Sequence, residues 1–232
     1  MGIIGRQGLW RKGLYHRDIS PPNIMYDRDE ECVVGGLNDW DLSTALSASS
    51  TPITDRTGTI PFMALQLLSN QNVAHLFWHD VESFIWVFLW VCGCSDGSGK
   101  EVPVAPYRTW KYLDVEVCKT ERQSFLSTIR PKDINTSAHH GPNVYFCIFL
   151  AELLQKSHTC IWMDIPTDAD RDAKDEKDMA LLEKVLLPKF KEVRAELNLR
   201  LLSGDRFIER SRKLLRWYIV ITVALITDKI NL

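Results

Sequence analysis

The sequence predicts a mainly helical domain with short β-hairpins near its beginning. Two observations carry this. First, a short apolar strand, Ile24-Met25-Tyr26, is followed by a second strand-like segment, Cys32-Val33-Val34. Second, Phe84 to Cys92 is nine residues without a charge. That run is too short to span a bilayer and reads as a helix that is apolar all round, hence buried.

The remaining elements follow in order. Tyr107 to Arg130, with Trp110, Tyr112, Leu113, Val117, Phe125 and Leu126, suggests one or two helices after a Pro-rich loop. Asn143 to Lys156 has the apolar content of a core helix. The main domain is therefore placed over 1–160. Acidic and basic residues alternate from Ile165 to Asp178, and 161–178 reads as a solvated loop or insertion. Asp168, Asp170 and Asp172 resemble the start of a calcium loop, but Ala173 and Met179 stand where glycine and glutamate are required. Over 179–204, Leu182, Leu186, Phe190, Val193 and Leu197 fall at amphipathic helical spacing, with Pro188 expected to kink the helix. The tail, 205–232, is basic and then apolar. It reads either as a helix against the domain or as an aggregation-prone end.

Composition is that of an ordinary globular chain. The 232 residues are 45% hydrophobic and 25% charged, with a formal net charge of −2. That charge predicts no general affinity for nucleic acid or for acidic membranes. Of six cysteines, Cys92 and Cys94 form a C-x-C pair and no C-x-x-C occurs. A zinc site is not expected, and reduced, partly buried thiols of an intracellular protein, cytoplasmic or nuclear, are. His139-His140 beside Gly141-Pro142 reads as an exposed loop. No signal peptide opens the chain, and Arg6 occupies the position where myristoylation requires Ser or Thr.

The functional signal lies in four ordered motifs. His16-Arg17-Asp18-Ile19-Ser20-Pro21-Pro22-Asn23 places an aspartate five positions before an asparagine, directly ahead of a strand. In phosphoryl transfer, that spacing lets one loop orient a hydroxyl and hold a metal ion. Leu37-Asn38-Asp39-Trp40-Asp41-Leu42-Ser43 follows at the distance of a metal-binding triplet. A Ser/Thr-rich stretch leads to Gly58-Thr59-Ile60-Pro61-Phe62-Met63-Ala64, and His79-Asp80-Val81-Glu82-Ser83-Phe84 opens the apolar helix. Together these motifs resemble the fungal-specific protein kinase family. The resemblance is good from about Gly13 to Trp90, looser to about Lys156 and weak beyond.

The resemblance implies a protein kinase-like C-terminal lobe. It implies Asp18 as catalytic base, and Asn23 and Asp39 as ligands of Mg2+ on ATP. It also implies Arg17 as anchor of the activation segment, and His16, Thr59 and Asp80 as structural support, with Asp80 accepting hydrogen bonds from the loop backbone. Each residue also has a plainer reading. Asp18 suits a turn before Pro21-Pro22, and Asn23 suits a turn cap. Asp39 and Asp41 suit a solvated loop, and Asp80 suits a helix N-cap. Arg56 to Met63 suits an ordinary Gly-Pro loop.

Departures from the family pattern are informative. Ser20 replaces a lysine that would touch the transferring phosphate, as in small-molecule kinases. Asp41 replaces a glycine, with a loss of freedom at positive φ expected there. Gln66 replaces a glutamate that pairs with a lobe arginine, and Pro22 removes one backbone donor. No Gly-rich loop and no strand lysine paired with a helix glutamate precede His16; Gly2, Gly5 and Gly8 read as a turn-rich start. The expectation is a lobe without its nucleotide-clamping partner, with ATP/Mg-dependent transfer to Ser/Thr hydroxyls of proteins weak or lost. A further expectation is that part of the Phe84–Cys92 helix is exposed, to be covered by a partner chain. The alternatives are a non-catalytic, pseudokinase-like interaction module or gene fragment, and a small-molecule kinase.

Overall fold

The computed structural model describes residues 14–28, 33–41, 43–45, 58–69, 73, 75–98, 100–102, 107–112, 114–128, 130 and 134–161. The glycine-rich start, most of the Ser/Thr-rich stretch, and the loop, amphipathic helix and tail expected beyond 161 lie outside these.

The strands come first. β1 (Leu14–Tyr15) pairs antiparallel with β4 (Thr44–Ala45), and β2 (Ile24–Arg28) pairs antiparallel with β3 (Val33–Leu37). The β2–β3 register sets Ile24 opposite Leu37. Both are buried, whereas Met25 next along β2 is exposed, as the two-residue side-chain period of a strand requires. Ahead of β2, Pro21–Asn23 forms a single 3-10 turn closed by Asn23 N–H donating to the Ser20 carbonyl at 3.0 Å. Pro21 and Pro22 fall in its first positions, where an N–H has no partner to lose.

Four helices follow: α1 (Leu65–Ser69), α2 (Phe77–Cys94), α3 (Val115–Thr128) and α4 (Val144–Ile161). α2 is central. It packs against α4 and the 3-10 turn Ile60–Phe62, while α3 packs against α1 and α4. Val81, Phe84, Ile85, Trp86, Val87, Phe88, Leu89 and Cys92 are all buried, and only Trp90 and Val91 are partly open. Among the described residues of Phe84–Cys92, exposure is thus confined to Trp90 and Val91, and both are only partly open. Phe146, Leu150 and Leu154 of α4, with the Tyr107–Trp110–Phe125 aromatic group, belong to the same core. Each such side chain contributes about 1.5–3 kcal/mol by leaving water.

Two local features fit α2 to its neighbours. Gly93 sits under the Tyr107 ring, where a Cβ would come within 2.7 Å of ring carbons. At the N-terminus, the Leu76 amide donates to His79 Nδ1 at 3.0 Å. The helix begins three residues before Asp80, so Asp80 is not its N-cap and its carboxylate is directed elsewhere.

Cys92, Cys94, Cys118 and Cys147 are buried free thiols. Burial pushes the Cys94 thiol up to about 11. Among the described residues no helix is long and apolar enough to cross a membrane, and no cluster of three metal-ligating side chains occurs.

His139-His140 departs from its exposed-loop reading. His140 is 1% exposed, in the turn Ala138–Asn143, because that turn closes onto the end of α2 through Ser137 N–H to the Cys92 carbonyl at 2.8 Å. Neither ring nitrogen of His140 has a hydrogen-bond partner among the described residues. Burial, then the neighbouring His139, lowers its pKa to about 4, with Asp96 opposing weakly. A folded pKa below the unfolded value of about 6.5 means that stability is fully present above pH 6.5. It is lost as pH falls towards 4, by about 3 kcal/mol in all. Urea midpoints measured from pH 7.5 to 4 should show this slope in the wild type and lose it in His140→Gln. An equal slope in both would remove His140 as its cause.

Candidate active site

The loop between β1 and β2 carries the site. Its position is set by Asp80, 1% exposed on α2. Oδ2 accepts the His16 amide at 2.8 Å and Oδ1 accepts the Arg17 amide at 3.2 Å. His75 Nε2 lies 2.8 Å from Oδ1. Burial alone would raise the Asp80 carboxyl; the charge and hydrogen bond of His75, with the two amides, outweigh it and hold the pKa below its ordinary value. The carboxylate thus ties the catalytic-type loop to the middle of the core.

His16 is fully buried, its ring edge-on to Trp40 at 4.7 Å. Its Nε2 faces the Asn38 carbonyl at 2.8 Å. A carbonyl can only accept, so Nε2 carries the hydrogen. Arg17 adopts φ 71, a left-handed conformation costly for a side chain of its size. Burial lowers the pKa of its guanidinium, with Asp80 opposing. The hydroxyls that Arg17 would anchor lie mostly outside the described residues.

Asp18 is held from two sides. Oδ1 accepts both the Thr59 amide and the Thr59 hydroxyl, each at 2.8 Å. Asn23 Nδ2 donates to Asp18 Oδ2 at 3.2 Å and to the Asp18 carbonyl at 3.0 Å. Gly58 makes the first contact possible. Its φ is +126, and a Cβ there would come within 2.8 Å of the Arg17 carbonyl.

The β2–β3 hairpin brings the second oxygen donor to the loop. Asn38 N–H donates to the Asn23 carbonyl at 2.8 Å, continuing the ladder past Ile24–Leu37. Asp39 stands one residue beyond, exposed, at φ 59. Aspartate tolerates that conformation better than most residues. The left-handed conformation thus falls at Asp39 and not at Asp41. Since the Asn23 amide nitrogen is committed to Asp18, its oxygen is the end left for a cation. Asn23 and Asp39 are hard oxygen donors of the kind Mg2+ takes alongside waters and phosphates. The residues present fit that ion.

Four participants have no role in the motif reading. His75 supports Asp80, and the Asn38 carbonyl holds His16. Glu82 and Arg122 form a buried ion pair, Arg122 Nη2 to Glu82 Oε1 at 3.8 Å. Glu82 stands inside a quoted motif without an assigned role. Arg122 was legible only as a charge on an apolar stripe, since Cys118, Arg122 and Leu126 recur every four residues and all three are buried. Gln66 does not face that arginine: its amide oxygen accepts from His79 Nε2 at 2.7 Å.

Residues 2–92 match a family model described as fungal protein kinase. Over this part of the chain, which includes the loop, the hairpin, the Gly58–Phe62 segment and most of α2, the protein is similar to the fungal protein kinase family. No curated protein and no solved structure matches the chain.

Proposed function

We propose that this chain carries the base- and metal-holding half of a kinase site for ATP/Mg-dependent phosphoryl transfer to Ser/Thr hydroxyls of proteins. We further propose that the isolated chain turns over very slowly or not at all. The observation that carries the reading is the convergence on Asp18 of segments distant in sequence. Thr59 and Asn23 orient its carboxylate, and Asp80 fixes the backbone on which it stands. Asp18 would accept or orient the proton of the attacking hydroxyl. Asn23 and Asp39 would hold Mg2+, which when bound neutralises phosphate charge. Ser20, 3% exposed beside Asp18, supplies no positive charge to the transferring phosphate. The lack of that charge also favours a second reading, a non-catalytic interaction module.

Calorimetric titration of the purified chain with Mg-ATP decides between them. Binding at low-millimolar affinity or tighter, lost in Asp39→Ala, is expected; phosphotransfer tested with Asp18→Ala then follows. A folded chain that binds no Mg-ATP would leave the non-catalytic reading.

A further inference from the structure

Glu82 and Arg122 are buried charges facing one another, at 1% and 0% exposure, on α2 and α3. They do more than neutralise each other. Arg122 Nη1 donates to the Met63 carbonyl at 2.7 Å and to the Ile60 carbonyl at 3.3 Å. Glu82 Oε1 accepts the Leu65 amide at 2.9 Å and the Trp86 indole N–H at 2.9 Å. The Arg122 guanidinium lies 4.1 Å over the Trp86 ring, and His158 Nε2 of α4 lies 3.3 Å from Glu82 Oε1. Every polar contact of the pair with the Ile60–Leu65 segment is to its backbone, so the grip does not depend on the side chains there.

We propose that Glu82 and Arg122 together form a positioning clamp for the Ile60–Leu65 backbone. Arg122 holds its carbonyls, Glu82 holds its amide, and each fixes the other. The carboxylate meeting the arginine comes from α2, because Gln66 on α1 turns to His79. This rests on reading Gly58–Ala64 as the substrate-docking end of an activation segment. A clamp on this segment keeps Thr59, one residue before it, on Asp18. Neither residue of the pair touches the reacting groups, so both are positioning residues.

The test separates holding the segment from holding the fold. Removing one partner of a buried pair strands the other charge and destabilises globally, whereas removing both charges is often close to neutral. Urea midpoints and amide hydrogen exchange are measured for wild type, Glu82→Gln, Arg122→Lys and the double variant Glu82→Gln/Arg122→Met. The double variant is expected to recover most of the midpoint. Its Phe62 and Met63 amides, which bond within the segment, should still exchange at least tenfold faster than in wild type. Amides of Val87 to Leu89 in α2 should not. Arg122→Lys, which keeps the charge without the fork, should show the same local acceleration and serves where the double variant does not fold. Wild-type exchange at Phe62 and Met63 in these variants overturns the proposal, as does acceleration equal to that in α2. These readouts need no turnover, so failure of Mg-ATP binding leaves them intact and bears on the kinase reading alone.

Discussion

Asp80→Ala is expected to cost about 3–5 kcal/mol of stability, a large part of what a domain of this kind has. The carboxylate is the acceptor for two backbone amides, of His16 and Arg17, and the partner of His75. Each orphaned buried donor costs about 1–3 kcal/mol, because water is not there to replace the lost acceptor. Arg17 adds to the effect. Its left-handed backbone is strained by about 1–3 kcal/mol and persists only while the surroundings hold it. Without Asp80 the loop should relax, carrying Asp18 away from Thr59. Asp80→Asn retains one acceptor oxygen and should fall between alanine and wild type. Urea unfolding gives the energies, and amide exchange at His16 and Arg17 shows where the loss begins. A change below about 0.5 kcal/mol in the alanine variant would mean that Asp80 is not the brace.

Trp86→Ala should be of similar size, for different reasons. The side chain is fully buried at the middle of α2. Its ring packs edge-on to Trp110 at 5.5 Å and against Phe125 at 6.1 Å, with Arg122 over its face. Truncating a buried tryptophan costs about 3–5 kcal/mol through lost transfer energy and an unfilled cavity. A cation stacked on it in a dry site loses about 2 kcal/mol more. Trp86→Phe should restore most of the packing but not the indole bond to Glu82. The exposed Val117→Ala on α3 should stay within about 0.5 kcal/mol. If Trp86→Ala unfolded at the same urea concentration as Val117→Ala, the core would not be organised around this helix.

The acid behaviour of the buried charges follows the same logic. Burial alone would raise the Glu82 carboxyl. His158, Arg122 and the Leu65 amide outweigh it and hold its pKa at about 2, against an ordinary 4.5. Its stabilising contribution is therefore present above pH 4.5 and is lost as pH falls from 4.5 towards 2, below the window in which His140 acts. Arg122 is lowered by burial to about 10, with Glu82 opposing. Both partners remain charged across the neutral range.

Much of the fold was readable from local pattern. An uncharged run too short for a membrane but apolar on every side has few outcomes other than a buried helix, and Phe84–Cys92 is one. The strand pair beside Asn23 and the helices within 107–130 and 143–156 were legible for similar reasons, since periodicity and turn residues act over a few positions. The candidate site residues were legible as types in order, because a phosphate-handling site requires oxygen donors and a base at fixed spacing.

What the tertiary structure decided are the contacts between segments far apart in sequence. Asp80 left two readings open, an N-cap by its neighbours and a brace of the loop backbone by family resemblance; the start of the helix at Phe77 and the His16 and Arg17 amides on its carboxylate decide for the brace. His140 reads as polar loop until the end of α2 is seen to close over it. Glu82 and Arg122 are forty positions apart. Neither carries a local signal for the other, because a buried ion pair is created by the packing of two helices and not by either sequence alone. Residue type and spacing determined which residues are candidates for the site. The meeting of α2 and α3 beneath the Ile60–Leu65 segment determined which backbone groups Glu82 and Arg122 bind, since burial is a property of the assembled core.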